Sequence, residues 1–182
     1  MEKITLVKEI MLIWQTLKND RTNQEQMWEQ ITRFCSPDRD FWTMVKESPK
    51  EPTRHVFDGT PISAVNLMAN ALQGYMASKS TTSFKVDIEN HRVLKHRPFE
   101  GAMRKYMQVL EKGFYWMIDG SNFYEAINQA FRVGGTIATT VMYVEEVPGE
   151  DKIVNMVSQS KDVWIAENEV KVVDTVFRRI QM

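Results

Sequence analysis

The pair Gly134-Gly135 separates two stretches of different periodicity, and that change constrains the fold more than any other feature of the sequence. Ahead of it, apolar residues recur at spacings of three and four. Ile62, Val65, Ala69, Leu72 and Met76 form one stripe, and Met103, Tyr106, Met107, Leu110, Phe114 and Met117 form another, as expected of helices that bury one face. Behind it, β-branched residues crowd from Thr136 to Val147. Ile153 to Val157 follows after Pro148-Gly149, a pair suited to the central positions of a type II turn. Two further strands are predicted at 163–166 and 170–174, on either side of Asn168, which tolerates left-handed turn geometry. Paired glycines carry a large backbone-entropy cost in a helix, so a helix opened by Asn122 and Glu125 as a capping box should stop at them. The expectation is an α+β fold of one domain. Residues 1–135 are its mainly helical part with one short strand at 83–88, and residues 136–182 an antiparallel β-region continuing it.

Start and stop signals divide the helical part. Ile4, Val7, Met11 and Trp14 make a stripe on a first helix, with Lys18 suited to its C-terminal end. Thr22 with Glu25 is a capping box that opens a second helix carrying Met27, Ile31 and Phe34 inward, so an antiparallel helical hairpin is predicted. Three prolines between Ser36 and His55 read as a long irregular loop, with Phe41 and Trp42 tucked against the core. In Asp58-Gly59-Thr60-Pro61, the Thr60 hydroxyl caps the next helix, Pro61 suits its first position and Asp58 adds negative charge at its N-terminus. Pro98 is placed to open the helix that ends at Asp119-Gly120-Ser121.

Composition narrows the function classes. With 43% hydrophobic and 26% charged residues the chain is globular rather than disordered. A formal charge of −1 gives little of the phosphate-neutralising drive of a free-standing nucleic-acid binder. One cysteine forms no internal disulfide, the first 17 residues are too charged for a signal peptide, and no run approaches the roughly 18 apolar residues of a membrane span. Synthesis in a reducing cytoplasm follows. Twelve methionines and five tryptophans suit either broad subunit contacts or an ordinary core that includes Trp14, Trp28 and Trp42.

Candidate chemistry is sparse. His91 and His96 lie among basic neighbours and far from Cys35, which gives no metal-ligand set. Cys35 or Ser36 with His55 and Asp58 lacks a nucleophile elbow, Asp38 and Asp40 read as solvated charge, and Gly134-Gly135 lacks the lysine of a phosphate loop. No catalytic, cofactor or metal residue is therefore assigned. The one sizeable basic cluster, Arg92, Lys95 and Arg97 followed by Arg104 and Lys105, is a candidate for weak contact with DNA or with an acidic neighbouring subunit, Phe99 and Tyr106 adding aromatic surface.

The order of several segments resembles the N-terminal region of the head-to-tail connecting (portal) proteins of short-tailed phages. They are Met27 to Pro37, Val56 to Pro61 with its helix and Ser80 to Val86, Glu111 to Phe123, Phe131 to Thr136, and Val163 to Asn168 with Val173 to Arg179. The resemblance covers nearly the whole chain and rests on order, since no single piece is a catalytic fingerprint. It implies a structural protein without enzymatic activity or cofactor: a dodecameric ring at the portal vertex of the virion, made in the host cytoplasm. Through that ring a separate terminase drives double-stranded DNA in packaging, without sequence specificity, and the DNA leaves at ejection. Scaffold or capsid proteins and tail adaptor proteins are the other implied partners, and no membrane is involved. In that family the N-terminal region forms chiefly a peripheral wing, while later residues supply stem, clip and crown. Its members are several times longer, so this chain reads as truncated relative to them. The rival expectation from another class is a small α+β protein–protein interaction adaptor of phage or prophage origin. A third is an enzyme whose site is assembled from dispersed residues.

Overall fold

The computed structural model describes residues 2–37, 56–86, 97–137, 139–158 and 160–179. Its first element, α1 (Glu2–Cys35), is one unbroken helix of 34 residues where a helical hairpin is expected. At about 1.5 Å per residue it is about 50 Å long. Thr22 lies in its middle, and the hydroxyl assigned to a cap donates instead to the Lys18 carbonyl at 3.2 Å, the bond a threonine makes inside a helix. Glu25, the other half of the proposed capping box, accepts from Arg21 Nε one turn back at 2.8 Å.

The second helix, α2 (Thr60–Met76), starts where expected but by a different bond. Gly59 is its N-cap residue, and Pro61 lies in the first turn. Asp58 Oδ1 accepts from the Thr60 backbone N–H at 2.9 Å and from the Thr60 hydroxyl at 2.7 Å. Asp58 is thus the residue whose side chain closes the start, and the Thr60 hydroxyl is its donor rather than the cap. These two bonds hold the Asp58 carboxyl below its usual value, because they favour the charged form.

After α2, residues 82–86 form no strand. Phe84 is held by Tyr115 instead: the rings stack at 4.6 Å, and the tyrosine hydroxyl accepts from the Phe84 N–H and donates to its carbonyl, both at 3.0 Å. A side chain thereby uses the backbone groups that a neighbouring strand would use. The rest of that expected strand, the proline-rich loop at 38–55 with Phe41 and Trp42, and the connector at 89–96 lie outside the described residues. The third helix, α3 (Arg97–Asp119), carries Pro98 in its first turn as expected.

The fourth helix, α4 (Phe123–Ile137), passes through Gly134 and Gly135 without stopping. The glycines serve packing. A Cβ on Gly135 would lie 1.9 Å from Met68 Cε of α2, and one on Gly134 would meet Thr140 Oγ1 at 3.2 Å. The missing side chain of Gly135 leaves room for the end of the Met68 side chain, and that of Gly134 for Thr140, at a helix-propensity cost of about 1 kcal/mol per glycine. Ala69 of α2 is fully buried, while Ala126, Val133 and Ile137 are buried on the face of α4 about 160–180° away from Asn128 and Gly135. Polar bonds complete the contact between α2 and α4, from Gln73 Nε2 to the Tyr124 carbonyl at 3.0 Å and from Asn128 Nδ2 to Gln73 Oε1 at 2.7 Å.

The strand-rich end consists of two antiparallel hairpins. Strands β1 (Val141–Glu146) and β2 (Ile153–Ser158) pair with Val141 opposite Ser158 and Glu146 opposite Ile153. Their turn is the type II turn expected at Pro148-Gly149: Gly149 has φ 84° and the Glu150 N–H donates to the Val147 carbonyl at 3.1 Å. A 3-10 turn (Ser160–Asp162) leads into β3 (Val163–Glu167), which pairs with β4 (Val173–Arg178). The last strand begins at Val173, not at Val170 as expected. Asn168 Oδ1 accepts the N–H groups of Val170 and Val172, both at 3.0 Å, and Lys171 takes the positive φ of 58°, so the turn consumes the residues assigned to the start of the strand. The fold is α+β, as expected.

Asn122 stands just before α4, but its side chain does not cap it. Nδ2 donates to the Asn155 carbonyl and Oδ1 accepts the Asn155 N–H, both at 2.8 Å, clamping the outer edge of β2. Ser121 Oγ takes the capping role by accepting the Phe123 N–H at 3.2 Å. Asn122→Ala is therefore expected to cost about 1–3 kcal/mol, because two backbone groups of buried Asn155 lose their partners. Thr22→Ala should stay within about 0.5 kcal/mol of the parent; chemical denaturation of both variants checks the contrast. A second expectation concerns pH. The folded Asp58 pKa lies below the usual 3.8, so its support for the start of α2 is complete above that value and is lost as pH falls through the folded pKa. Amide exchange at Thr60 should accelerate there, and Asp58→Asn should abolish the acid dependence.

Candidate functional site

The residues nominated for catalysis do not come together. Cys35 is half-buried at the end of α1, the Ser36 N–H is committed to the Thr32 carbonyl at 2.9 Å, and Asp58 is occupied by Thr60. His55, Asp38, Asp40, His91 and His96 lie outside the described residues. Among the described residues no group of histidine, cysteine and carboxylate side chains is placed to hold a metal ion. Gly134 and Gly135 are helical packing residues, which leaves no loop there to cradle a phosphate.

What the fold does assemble is an anchor around Arg21, a residue with no prominence in the sequence. The residue is 9% exposed, and its guanidinium reaches from the middle of α1 into the turn before β3. Nη1 donates to the carbonyls of Ser160 at 2.9 Å and Val163 at 2.5 Å, and Nη2 donates to that of Lys161 at 2.9 Å. Glu25 balances the charge from one helical turn away at 2.7 Å. Aromatic faces complete the enclosure: the guanidinium carbon lies 4.6 Å from the Trp164 ring centre and 5.7 Å from that of Trp28. Trp14 meets Trp164 edge to face at 5.5 Å. Beside this cluster is a cavity of about 200 Å³, lined by Leu17, Asp20, Arg21, Gln24 and Trp164 among others. The planar fork of arginine suits three convergent carbonyls, where the point charge of lysine would leave some unmet. The visible sequence signal was the Arg21–Glu25 spacing, which reads equally well as an exposed helix pair.

Trp164 is thus buried, with Trp14 and Trp28 half-buried beside it. The surface is apolar elsewhere. On α1, Leu6, Val7, Met11 and Leu12 are exposed, on α2 Leu67, Tyr75 and Met76, and around β4 Val172, Val173 and Val176. On α3 only one side is covered. Met103, Met107, Leu110 and Ile118 are half-buried, while Tyr106, Val109 and Trp116 face outward. Large apolar groups are thus exposed on α1, α2, α3 and β4 among the described residues.

The proposed basic contact is only partly visible. Arg92 and Lys95 lie outside the described residues, as does the side chain of Arg97, the first residue of α3. Arg104 and Lys105 are both exposed on α3. Adjacent residues point about 100° apart around a helix, so these two do not share one face.

Comparison with known proteins places the chain. Residues 7–182 match the family model of the bacteriophage head to tail connecting protein. A curated relative, the portal protein of Salmonella phage epsilon15, is 23% identical over 183 residues, an alignment covering 100% of this chain and 31% of that protein. The chain therefore spans about a third of the length of the curated relative it matches.

Removal of the anchor should separate α1 from the β-region. Arg21→Ala is expected to cost about 3–5 kcal/mol, since it strands Glu25 and leaves three carbonyls without donors. Arg21→Lys should recover only part of that. Denaturation curves, with Trp fluorescence reporting on Trp14 and Trp164, check both.

Proposed function

This chain belongs to the bacteriophage head to tail connecting protein family, and on that premise we propose that it forms part of a portal ring through which double-stranded DNA is packaged and ejected. The match across residues 7–182 is the observation that carries the reading. In this reading residues 1–135 are the mainly helical wing and residues 136–182 the β-region that continues it. The ring sits at the portal vertex of the virion, where terminase, scaffold or capsid proteins and tail adaptors are its partners. The chain's work is mechanical, and it performs no catalytic step.

The physical support is the exposed apolar surface. A free-standing domain gains nothing from leaving Tyr75 at 92% and Trp116 at 71% exposure, whereas a subunit embedded among copies of itself and later parts of its own chain buries them. None of the described helices is long and apolar enough to cross a membrane. A net charge of −1 suits a wall that lets DNA slide past without gripping it.

The reading is tested by mass measurement under native conditions over a range of concentrations. A ring or a concentration-dependent oligomer is expected, and a clean monomer at every concentration would overturn the reading in favour of an adaptor. Duplex DNA should bind weakly, without sequence preference, and be released at physiological salt. Neutralising Arg92, Lys95, Arg97, Arg104 and Lys105 together should abolish the residual binding, and tight, sequence-specific binding would instead point to a DNA-recognition module.

A further inference from the structure

Lys105, Val109, Lys112 and Trp116 follow one another on α3 at steps of four, three and four, so they form a single stripe along the helix. All four are exposed, Val109 at 66% and Trp116 at 71%. The stripe lies away from the half-buried line of Met103, Met107, Leu110 and Ile118, so it is not the seam by which α3 packs on its own chain. Its lysines are also uncompensated. The positions three and four residues to either side of Lys105 are Gly101, Ala102, Gln108 and Val109, and those around Lys112 are Gln108, Val109, Tyr115 and Trp116. No carboxylate occupies any of them, and neither lysine forms an ion pair among the described residues.

The complementary surface is the tip of the β1–β2 hairpin. Glu145, Glu146, Glu150 and Asp151 crowd there, and Lys152 is engaged by Glu150 at 2.9 Å. Glu145 lies 3.9 Å from Arg178. Glu146 and Asp151 have no cation within ion-pair distance among the described residues. Between them the exposed Pro148 presents an apolar surface at the apex of the turn.

We infer that the stripe Lys105, Val109, Lys112 and Trp116 receives the acidic β1–β2 turn of a second copy of this chain. The inference rests on the ring reading above, because the two surfaces differ and a head-to-tail contact of unlike surfaces is the kind that closes into a ring. The dimensions agree: Lys105 and Lys112 are about 10 Å apart along the helix, wide enough to seat a ribbon whose two strands lie about 4.8 Å apart. Glu146 and Asp151 then meet the lysines, while Pro148 covers Trp116 or Val109. Charge sets the register, and burial of the indole supplies the holding energy. Duplex DNA is the less favoured occupant, because two lysines release few counterions, and the acidic tip has no role there.

The test uses the full chain and its charge-reversed forms in sedimentation experiments at low and physiological salt. Lys105→Glu with Lys112→Glu, and separately Glu146→Lys with Asp151→Lys, should each weaken self-association about tenfold or more. Combining all four changes in one chain should restore it, a recovery that misfolding cannot produce. Trp116→Ala should weaken association at both salt concentrations. Association unchanged in both reversed proteins would overturn this contact and leave the ring reading standing. Failure of the unmodified chain to associate at all would overturn both. Lysine variants that lose binding to a short DNA duplex while associating normally would overturn the contact in favour of a nucleic-acid surface.

Discussion

Three carbonyl groups, two in the short turn before β3 and one on its first residue, point at one guanidinium, and the placement of the β-region against α1 depends on that meeting. A 34-residue helix on its own gives no reason for a two-stranded ribbon to lie against it, and isolated hairpins of two strands are marginal in water. Arg21 supplies the reason. Its bonds to Ser160, Lys161 and Val163 fix where β3 starts, and the pairing of β3 with β4 follows. The tryptophans around it exclude water, which strengthens each of those bonds. At the far side of the 3-10 turn, Arg179 and Asp162 form an ion pair that ties the end of β4 to the turn that opens β3.

The second seam works by subtraction. Gly135 of α4 has no side chain where Met68 of α2 lies, and Asn128 bonds across to Asn70 and Gln73. The opposite face of α4 buries Val133 and Ile137, while Leu67, Tyr75 and Met76 of α2 stay exposed.

Several elements were legible because their determinants lie within a few residues of each other. The Pro148-Gly149 turn needs only a proline's fixed φ and a glycine's freedom, and the β-branched residues before it mark β1, although that strand begins at Val141 rather than Thr136 because α4 runs on to Ile137. The starts of α2 and α3 were legible for the same reason, as was the α+β class. Local rules failed where a partner from elsewhere competed. Thr22 and Glu25 match a capping box, but Glu25 is taken by the arginine that anchors the β-region, and the helix continues. Phe84 sits in a strand-like stretch, but Tyr115 of α3 occupies its backbone groups. Asn122 has the position of a cap and spends its side chain on β2.

The candidate surfaces show the same limit. The stripe from Lys105 to Trp116 follows from helical periodicity once α3 is known, yet nothing local says which side of that helix faces solvent. By itself the sequence determined the starts of α2 and α3, the Pro148-Gly149 turn, the near-neutral charge and the order of segments shared with the connector family, because each rests on short-range spacing or on a simple sum over residues. Only the tertiary structure decided that two glycines continue a helix, that one arginine holds α1 to the β-region, and which apolar residues stay outside. Those outcomes depend on contacts such as Arg21 with Ser160, 139 residues apart in sequence, and such contacts exist only once the chain has closed on itself.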